Sequence, residues 1–296
     1  MKGALYMAIA MASFVANDTL LKLLSDELAA GSLIFWRGVF SSALLLAAVA
    51  MSGALPRLPL ALSGRVVIRS LTDLVATVLF ISALMHMPIG NLTSISHAAP
   101  LVATGLAALF LDERVGWRRT SAIAAGFLGV LMITRPSAQG IDRYTLMALG
   151  VVAGVAVRDI VTRRISAAVP ALVVALANSA FVVLGASAFA QIEGGLALPS
   201  AQQMIVLAAA GALLSLGYLF MVQTLRYADI AASASVRYTG VLWALVSGMF
   251  VFGEIPDRYT LAGIVLIVGS GTYALLREHK LKRERKSQPA KAETKA

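Results

Sequence analysis

The sequence predicts an all-α integral membrane protein with ten transmembrane helices arranged as two inverted five-helix repeats. The first observation is composition: of 296 residues, 59% are hydrophobic and 14% are charged, whereas soluble domains are roughly 45–50% apolar and about 25% charged. A soluble chain of this length could not remove so much apolar surface from water. The other two observations are ten apolar segments of membrane-spanning length and a match of the sequence to itself at a fixed shift.

The ten apolar segments each approach the roughly 20 residues that a helix needs to cross about 30 Å of hydrocarbon. In chain order they are residues 3–23, 31–52, 66–87, 90–111, 117–134, 143–164, 168–190, 203–225, 229–252 and 259–276. Glycine and proline follow the second and seventh segments, as expected of short connectors. The first segment resembles a signal peptide, but the many apolar segments downstream favour a first span.

The sequence matches itself when it is shifted by 141 residues. The aligned pairs include Asp18 with Asp159, Lys22 with Arg163, Ser94 with Ser235 and Glu113 with Glu254. This gapless shift places the first span on the sixth and the fourth on the ninth, which defines two units at residues 3–134 and 143–276. Because five is odd, the second unit enters the bilayer from the opposite side. Inverted repeats of this kind are typical of secondary transporters, whose substrate sites lie near the midplane.

The distribution of basic residues predicts that both termini face the cytoplasm, where Lys and Arg accumulate. With the N-terminus inside, 16 Lys and Arg fall at cytoplasmic ends and 4 at outer ends. The net charge of +10 could also indicate nucleic acid, but the densest basic cluster directly follows the last span. Residues 277–296 are therefore predicted to form a basic cytoplasmic tail beside anionic membrane lipids, with an interaction tail as the alternative.

Several absences from the sequence argue against an enzyme and against a cofactor. The sequence has no cysteine, which excludes disulfides, thiolate nucleophiles, cysteine-based zinc sites and iron–sulfur clusters. It has no HExxH or P-loop motif, and no GxSx motif paired with a histidine on suitable spans. We expect neither catalysis nor a metal or other cofactor. Among non-enzymes, a channel would need a repeated ring of carbonyls or charges, and a membrane scaffold would gain little from buried charges.

Two stretches, residues 83–133 and 226–275, resemble EamA-type units of the drug/metabolite transporter superfamily. The matching residues are Pro88, Pro100, the LDER around Glu113, Tyr238, Trp243 and the FGE ending at Glu254. The similarity covers nearly the whole chain up to the basic tail, and it is greatest to the branch that exports aromatic amino acids and methionine.

This resemblance implies a ten-helix transporter of the bacterial inner membrane, which exports neutral amino acids or related small metabolites by alternating access. The expected partner is a small-molecule substrate, and both a monomer and a homodimer are compatible with the sequence. Export of other metabolites or drugs is one alternative function. A membrane scaffold that transports nothing is the other.

Charged residues inside the spans are the first site candidates, because a charge at the bilayer centre costs at least about 2.5–3.5 kcal/mol. Asp73 and Arg237 lie at similar depths from the cytoplasmic side. We expect them to pair, either as a tie between two helices or as an inner gate or binding group for a charged substrate. Asp18 and Arg37 form the comparable pair near the outer side. Under this hypothesis Asp18 faces the central cavity while Lys22 extends to the interface; the alternative is a hydrated helix end.

Polar and aromatic residues inside the spans are the second group of candidates. The predicted cavity-lining residues are His97, Ser94, Phe80, Asn178, Tyr238 and Trp243. The fourth span begins with polar residues that must face a cavity or another helix, and His97 there could carry a coupled proton or form neutral hydrogen bonds. Rings and amides suit an amphipathic pocket, although ordinary packing is the alternative, especially for Phe80. Proton coupling, through Asp73, Asp18 or His97, and facilitated diffusion both remain open.

Two glutamates end spans at opposite membrane faces, so we do not expect them to share a substrate site. Glu113 is expected to pair with Arg114 or Arg118 in its loop. Glu254 is expected to pair with Arg258.

Overall fold

The computed structural model describes residues 2–103, 117–135, 142–227 and 236–287, and every regular element in these ranges is helical. The α-helices, in chain order, are α1 (Lys2–Leu23), α2 (Ala30–Met51), α3 (Gly64–Leu84), α4 (Ile89–Ser96), α5 (Trp117–Thr134), α6 (Arg143–Thr162), α7 (Ala171–Ile192), α8 (Ala201–Tyr227), α9 (Thr239–Phe252) and α10 (Arg258–Ser287). A 3₁₀ helix at Leu55–Leu62 connects α2 to α3, and the sequence pattern did not predict it.

Seven of the described helices are long and apolar enough to cross a membrane, namely α1, α2, α3, α6, α7, α8 and the Arg258–Arg277 part of α10. Two shorter apolar helices lie at Thr120–Thr134 and Thr239–Phe252. Large apolar side chains such as Phe250, which is 84% exposed, cover the outside of the bundle, as expected of a surface that contacts lipid. The predicted multi-pass, all-helical membrane class is confirmed.

The count of ten spans stays a prediction. The described part of α4 is only eight residues long, and residues 104–116 and 228–235, which belong to the predicted fourth and ninth spans, lie outside the described residues. Glu113 lies there too. The predicted tail begins on a helix, because α10 continues to Ser287; residues 288–296 lie outside the described part of the chain.

Corresponding helices in the two halves of the chain have corresponding packing neighbours. The closest neighbours are α1 with α8 and α9, α2 with α7 and α8, α3 with α6 and α7, α4 with α6 and α9, and α5 with α10. Exchanging α1–α5 for α6–α10 maps this set of neighbours onto itself. Two related units of five helices would produce such a pattern.

Two helix interruptions face each other inside the bundle. Helix α4 ends at Ser96, His97 and Ala98 form a turn, and helical structure resumes at Ala99. Pro100 accounts for this break, because its ring removes the N–H that would bond the Ser96 carbonyl and clashes with that carbonyl. A second turn, at Arg237 and Tyr238, precedes α9. Both turns fall on the predicted fourth and ninth spans, at nearly equivalent positions of the 141-residue shift.

Glycine allows α5 and α10 to approach backbone to backbone. A Cβ atom added to Gly129 would lie 2.7 Å from the Gly263 carbonyl oxygen, and one added to Gly263 would lie 2.6 Å from the Gly129 carbonyl oxygen. Helix association in membranes depends on such close packing, because lipid leaves little hydrophobic drive between helices. The two glycines therefore hold the α5–α10 pair together.

Candidate functional site

A network of buried polar side chains crosses the centre of the bundle around Asp73 of α3. The Asp73 carboxylate accepts hydrogen bonds from Arg158 Nη1 of α6 at 2.7 Å and from Asn178 Nδ2 of α7 at 2.6 Å. Arg158 also pairs with Asp159 at 3.0 Å. Asn178 Nδ2 lies 3.4 Å from the hydroxyl oxygen of Tyr218 on α8. Four helices therefore contribute to one polar centre.

The predicted ion pair between Asp73 and Arg237 is wrong. Asp73 pairs instead with Arg158, because α6 packs along α3. Arg237 lies in the turn before α9, which packs on α1 and α4, and its carbonyl oxygen faces His97. Similar depth in the membrane did not identify the partner, since depth does not specify which helices are neighbours. Arg158 was recognisable in the sequence as a charge inside the sixth span, but its role was missed.

Arg37 of α2 is the buried cation that this network leaves without a direct partner. The side chain is buried, with a residue exposure of 5%. Its Nε atom has no hydrogen bond, and none of the described carboxylates lies within ion-pair distance of it. Arg37 nevertheless interacts electrostatically with Asp18, Tyr218 and Asp73. The predicted pair of Arg37 with Asp18 does not form a direct ion pair, although the two groups interact electrostatically.

Asp18 and Asn17 of α1 face the same region. Asp18 Oδ1 accepts a hydrogen bond from Asn17 Nδ2 at 2.8 Å. The other end of the Asn17 amide, Oδ1, is buried and has no hydrogen-bond partner among the described residues. A buried acceptor without a donor is costly, so Asn17 offers a free acceptor beside the Asp18 carboxylate.

Serine hydroxyls on α2 bond to α7 and α8 beside Arg37 and Asn178 in the sequence. Ser41 follows Arg37 by one helical turn and its hydroxyl lies 3.0 Å from that of Ser215 on α8. Ser42 donates to the Ser179 hydroxyl of α7 at 2.8 Å. We call the charged and polar side chains Asp18, Arg37, Asp73, Arg158 and Asn178, with these serines, the polar column.

His97 and Tyr238 meet where the two helix interruptions face each other. His97 Nδ1 lies 2.8 Å from the Thr93 carbonyl oxygen, and Nε2 lies 3.0 Å from the Arg237 carbonyl oxygen. A neutral imidazole has one N–H and can donate to only one of these acceptors. The ring centroid of His97 lies 5.6 Å from that of Tyr238, whose buried hydroxyl has no hydrogen-bond partner in the part of the chain that the structure describes.

The remaining predicted cavity residues do not join this column. Ser94 is fully buried and donates to the Gly90 carbonyl of its own helix at 2.6 Å. Phe80 packs against the main apolar core. Trp243 is half exposed and lines an apolar groove between α1, α8 and α9. A substrate-binding role stays a prediction for these three residues and for His97, Asn178 and Tyr238 alike.

The predicted outer ends of the helices are tied by a second polar cluster. Lys22 of α1 forms an ion pair with Glu254, which follows α9, and donates to the Met87 carbonyl at 2.6 Å. Glu254 also accepts from the Ile89 N–H of α4 at 2.9 Å. The expected pairing of Glu254 with Arg258 is wrong, because Lys22 is carried to Glu254 by the packing of α1 on α9. Lys22 therefore joins helices instead of extending to the interface.

A cavity of about 410 Å³ lies beside this cluster. Its lining residues include Pro88, Asn91, Arg135, Glu254 and Asp257. Arg135 and Asp257 form an exposed ion pair that links the end of α5 to the start of α10. Hydrogen bonds from the Arg135 guanidinium and from the Thr260 N–H hold the pKa of Asp257 well below its usual range.

The sequence pattern of the EamA-like transporter family matches this chain twice, at residues 1–135 and 143–275. The chain belongs to the EamA-like transporter family. As a member of that family, it is a transporter of small molecules and not an enzyme. The predicted resemblance is thereby confirmed at the level of the family.

Several curated relatives match this chain over nearly its whole length. An S-adenosylmethionine uptake transporter of Rickettsia conorii is 26% identical over 97% of each chain. The pseudopaline exporter CntI of Pseudomonas aeruginosa is 26% identical over 90% of this chain and 93% of its own. A riboflavin transporter of Rhizobium johnstonii is 26% identical over 96% of this chain and 93% of its own. A crystal structure with 16% identity superposes with a TM-score of 0.62 over 94% of this chain and 98% of its own, which shows the fold alone.

The EamA-like chain thus places several costly polar groups, among them Asp73 and Arg37, in a column inside an apolar bundle. Charged residues in membrane helices usually mark substrate or ion pathways, and discontinuous helices near the midplane often form substrate sites in transporters. The column contains both hydrogen-bonded charges, at Asp73 and Arg158, and a cation without a direct partner, at Arg37. Such an arrangement can bind and release a polar solute.

Proposed function

We propose that this transporter exports amino acids, in particular aromatic and other neutral amino acids and methionine, or closely related metabolites across the bacterial inner membrane. The observation that carries the proposal is the buried column of charged and polar side chains from Asp18 and Arg37 to Asp73 and Arg158. A solute with both an ammonium and a carboxylate group would find partners of both signs there. S-adenosylmethionine, which the Rickettsia relatives take up, has those two groups as well.

The transport mechanism that we propose is alternating access, with residues 3–134 and 143–276 acting as inverted repeats that rock against each other. The neighbour pattern of the helices and the two facing interruptions support it. The relatives do not decide the direction of transport, because they include both an uptake transporter and an exporter. We assign export on the resemblance of the sequence to exporters of aromatic amino acids and methionine.

Counterflow in proteoliposomes tests this function. Vesicles that contain the purified protein and unlabelled phenylalanine, leucine or methionine should accumulate the labelled form of the same amino acid. Asp73→Asn should reduce this flux to the level of empty liposomes, because it removes the carboxylate that pairs with Arg158. Absence of counterflow for every amino acid, with exchange of S-adenosylmethionine or riboflavin instead, would reject amino acids as the substrate class.

The same vesicles separate proton coupling from facilitated diffusion. An imposed pH gradient should drive net accumulation only if a proton moves with the substrate or against it. His97 is the titratable group that faces two carbonyl acceptors at the helix interruptions, so His97→Gln should remove such a response. The exposed His86, stacked on Tyr144 at 4.1 Å, supplies the matched control, His86→Gln.

The inner-membrane location and the cytoplasmic position of both termini are part of the proposal. They are supported by the excess of Lys and Arg at the predicted cytoplasmic ends. A reporter that fluoresces only in the cytoplasm, fused after residue 296, should be bright in cells. A reporter that is active only outside the cytoplasm should be inactive at the same position, and the reverse pattern would invert the topology.

A further inference from the structure

The buried charges of the polar column are unequally paired. Arg158 contacts two carboxylates, those of Asp73 and Asp159, at 2.7 Å and 3.0 Å. Asp73 in turn has a second donor, Asn178. Arg37, at least as deeply buried, has no such contact among the described residues, although its guanidinium has five N–H donors. A cation that is dehydrated without a direct counter-ion is unfavourable unless something else binds it.

Helix α1 carries hydrogen-bond acceptors that interact with the Arg37 charge and are only partly used. Asp18 uses its Oδ1 atom for Asn17, while its Oδ2 atom makes no described hydrogen bond. Asn17 Oδ1 is buried and accepts no hydrogen bond from any described residue. Donors on α2 and acceptors on α1 therefore interact electrostatically with each other but do not touch. A ligand with adjacent negative and positive groups could satisfy both sides.

Charges of both signs lie in this part of the bundle. The cations are Arg37, Arg69 and Arg158, and the carboxylates are Asp18, Asp73 and Asp159; Arg69 belongs to the set because it interacts electrostatically with Asp73. A zwitterion adds no net charge to these buried groups, whereas an anion or a cation adds one. The edge-to-face pair of Phe14 and Tyr218, with ring centroids 5.5 Å apart, adds an apolar surface from α1 and α8.

We propose that Arg37 binds the carboxylate of a zwitterionic aminocarboxylate and that Asp18, with the Asn17 amide oxygen, binds its ammonium group. This inference rests on the proposed function and assigns the two charged groups of the substrate to named side chains. Selection follows from geometry and charge together. A primary amine lacks the group that Arg37 needs, and a simple carboxylic acid lacks the group that Asp18 needs.

Competition by three matched compounds tests the assignment. L-Phenylalanine, phenethylamine and 3-phenylpropanoate share the same ring and differ in their charged groups. Counterflow of labelled phenylalanine by the wild-type protein should be inhibited by L-phenylalanine at least about 10-fold more strongly than by either analogue, because each analogue leaves a buried polar group unpaired.

The two variants should relax this selectivity in opposite directions. Arg37→Gln should weaken inhibition by phenylalanine, so that phenethylamine inhibits as strongly as phenylalanine does. Asp18→Asn should also weaken inhibition by phenylalanine, but here 3-phenylpropanoate should become the equally strong inhibitor. Binding of the three compounds to purified protein, followed by the shift in Tm, gives the same ranking for a variant that has lost transport. Arg37→Lys keeps the charge and should keep the preference for the zwitterion. Arg65→Gln, which removes a basic residue bonded to a surface carbonyl, is the matched control and should rank the compounds as the wild type does.

The outcomes distinguish this inference from the proposed function. If the wild-type protein transports phenylalanine and both variants retain its ranking of the three compounds, the assignment to Arg37 and Asp18 is overturned while amino-acid transport stands. If the wild-type protein neither transports nor binds any amino acid, the proposed function fails and this inference fails with it. Opposite changes of ranking in the two variants support both.

Discussion

Replacement of Lys22 tests whether its contacts hold the outer end of the bundle closed. Its ammonium group, on a side chain that is 12% exposed, contacts the carboxylate of Glu254, which is 19% exposed, and the Met87 carbonyl. Replacement by methionine keeps the length of the side chain and removes both charge-assisted contacts. We expect Lys22→Met to shift the equilibrium toward a conformation that is open at this end.

These contacts determine how far Lys22→Met shifts the equilibrium toward the open conformation. Hydrogen bonds to charged groups contribute roughly 1.5–3 kcal/mol each, but both Lys22 and Glu254 regain water when the end opens, which offsets part of the loss. A net change of about 2 kcal/mol corresponds to roughly a 30-fold larger open fraction, since about 1.4 kcal/mol is a factor of ten. The Ile89 N–H still bonds Glu254, so the closed state is weakened and not abolished.

The absence of cysteine from the chain makes a single-cysteine assay straightforward. Ser94 is fully buried on α4, five residues after Ile89, whose N–H bonds Glu254, and Ser94→Cys adds one reactive thiol there. A membrane-impermeant thiol reagent added outside should label this cysteine about 30-fold faster in the Lys22→Met background, if opening precedes labelling. Labelling at the wild-type rate would refute the idea that Lys22 holds the outer end closed.

A matched control lies on the same face of the protein. Arg135 and Asp257 form an ion pair whose side chains are 47% and 49% exposed. Exposed pairs contribute little to stability because water screens them, so Arg135→Gln should change the labelling rate at Ser94→Cys by a factor of a few at most. Equal acceleration by Arg135→Gln and Lys22→Met would show that any loss of charge at this end has the same effect.

Three further predictions concern stability and are checked by thermal unfolding in detergent. Gly263→Ala should destabilise the protein by about 1–3 kcal/mol through overpacking, because its Cβ would overlap the α5 backbone, whereas Gly269→Ala has no atom within 4 Å of the added Cβ and should leave the Tm unchanged. Asp73→Asn should cost about 3–5 kcal/mol, as expected when one partner of a buried ion pair is removed, while Asp257→Asn, which breaks an exposed pair, should change the Tm little. Asp142→Ala should cost about 1 kcal/mol at neutral pH, since Asp142 caps α6. Hydrogen bonds from the Thr145 hydroxyl and N–H and from the Tyr144 N–H lower the pKa of Asp142, so its contribution is complete above the unfolded pKa of about 3.9 and is lost as the pH falls below it.

The sequence alone was sufficient for the membrane class and for most helix positions. Span length and hydropathy are local properties, because the bilayer requires about 20 apolar residues for each crossing wherever a helix lies. The predicted first span, residues 3–23, and α1 at Lys2–Leu23 differ by one residue, and the predicted fifth span coincides with α5. Family membership was also contained in the sequence, through residues in both halves.

Only the tertiary structure decided which charged groups meet. The sequence placed Asp73 and Arg237 at equal depth, but neighbouring helices bring Arg158 to Asp73, and they bring Lys22 to Glu254 across 232 residues of chain. In a soluble helix the apolar stripe shows which side faces the core. In this chain the lipid-facing and core-facing sides of the helices are both apolar, so periodicity does not indicate how each helix is rotated or which helix lies beside it. Those two properties determine the partners of every buried charge.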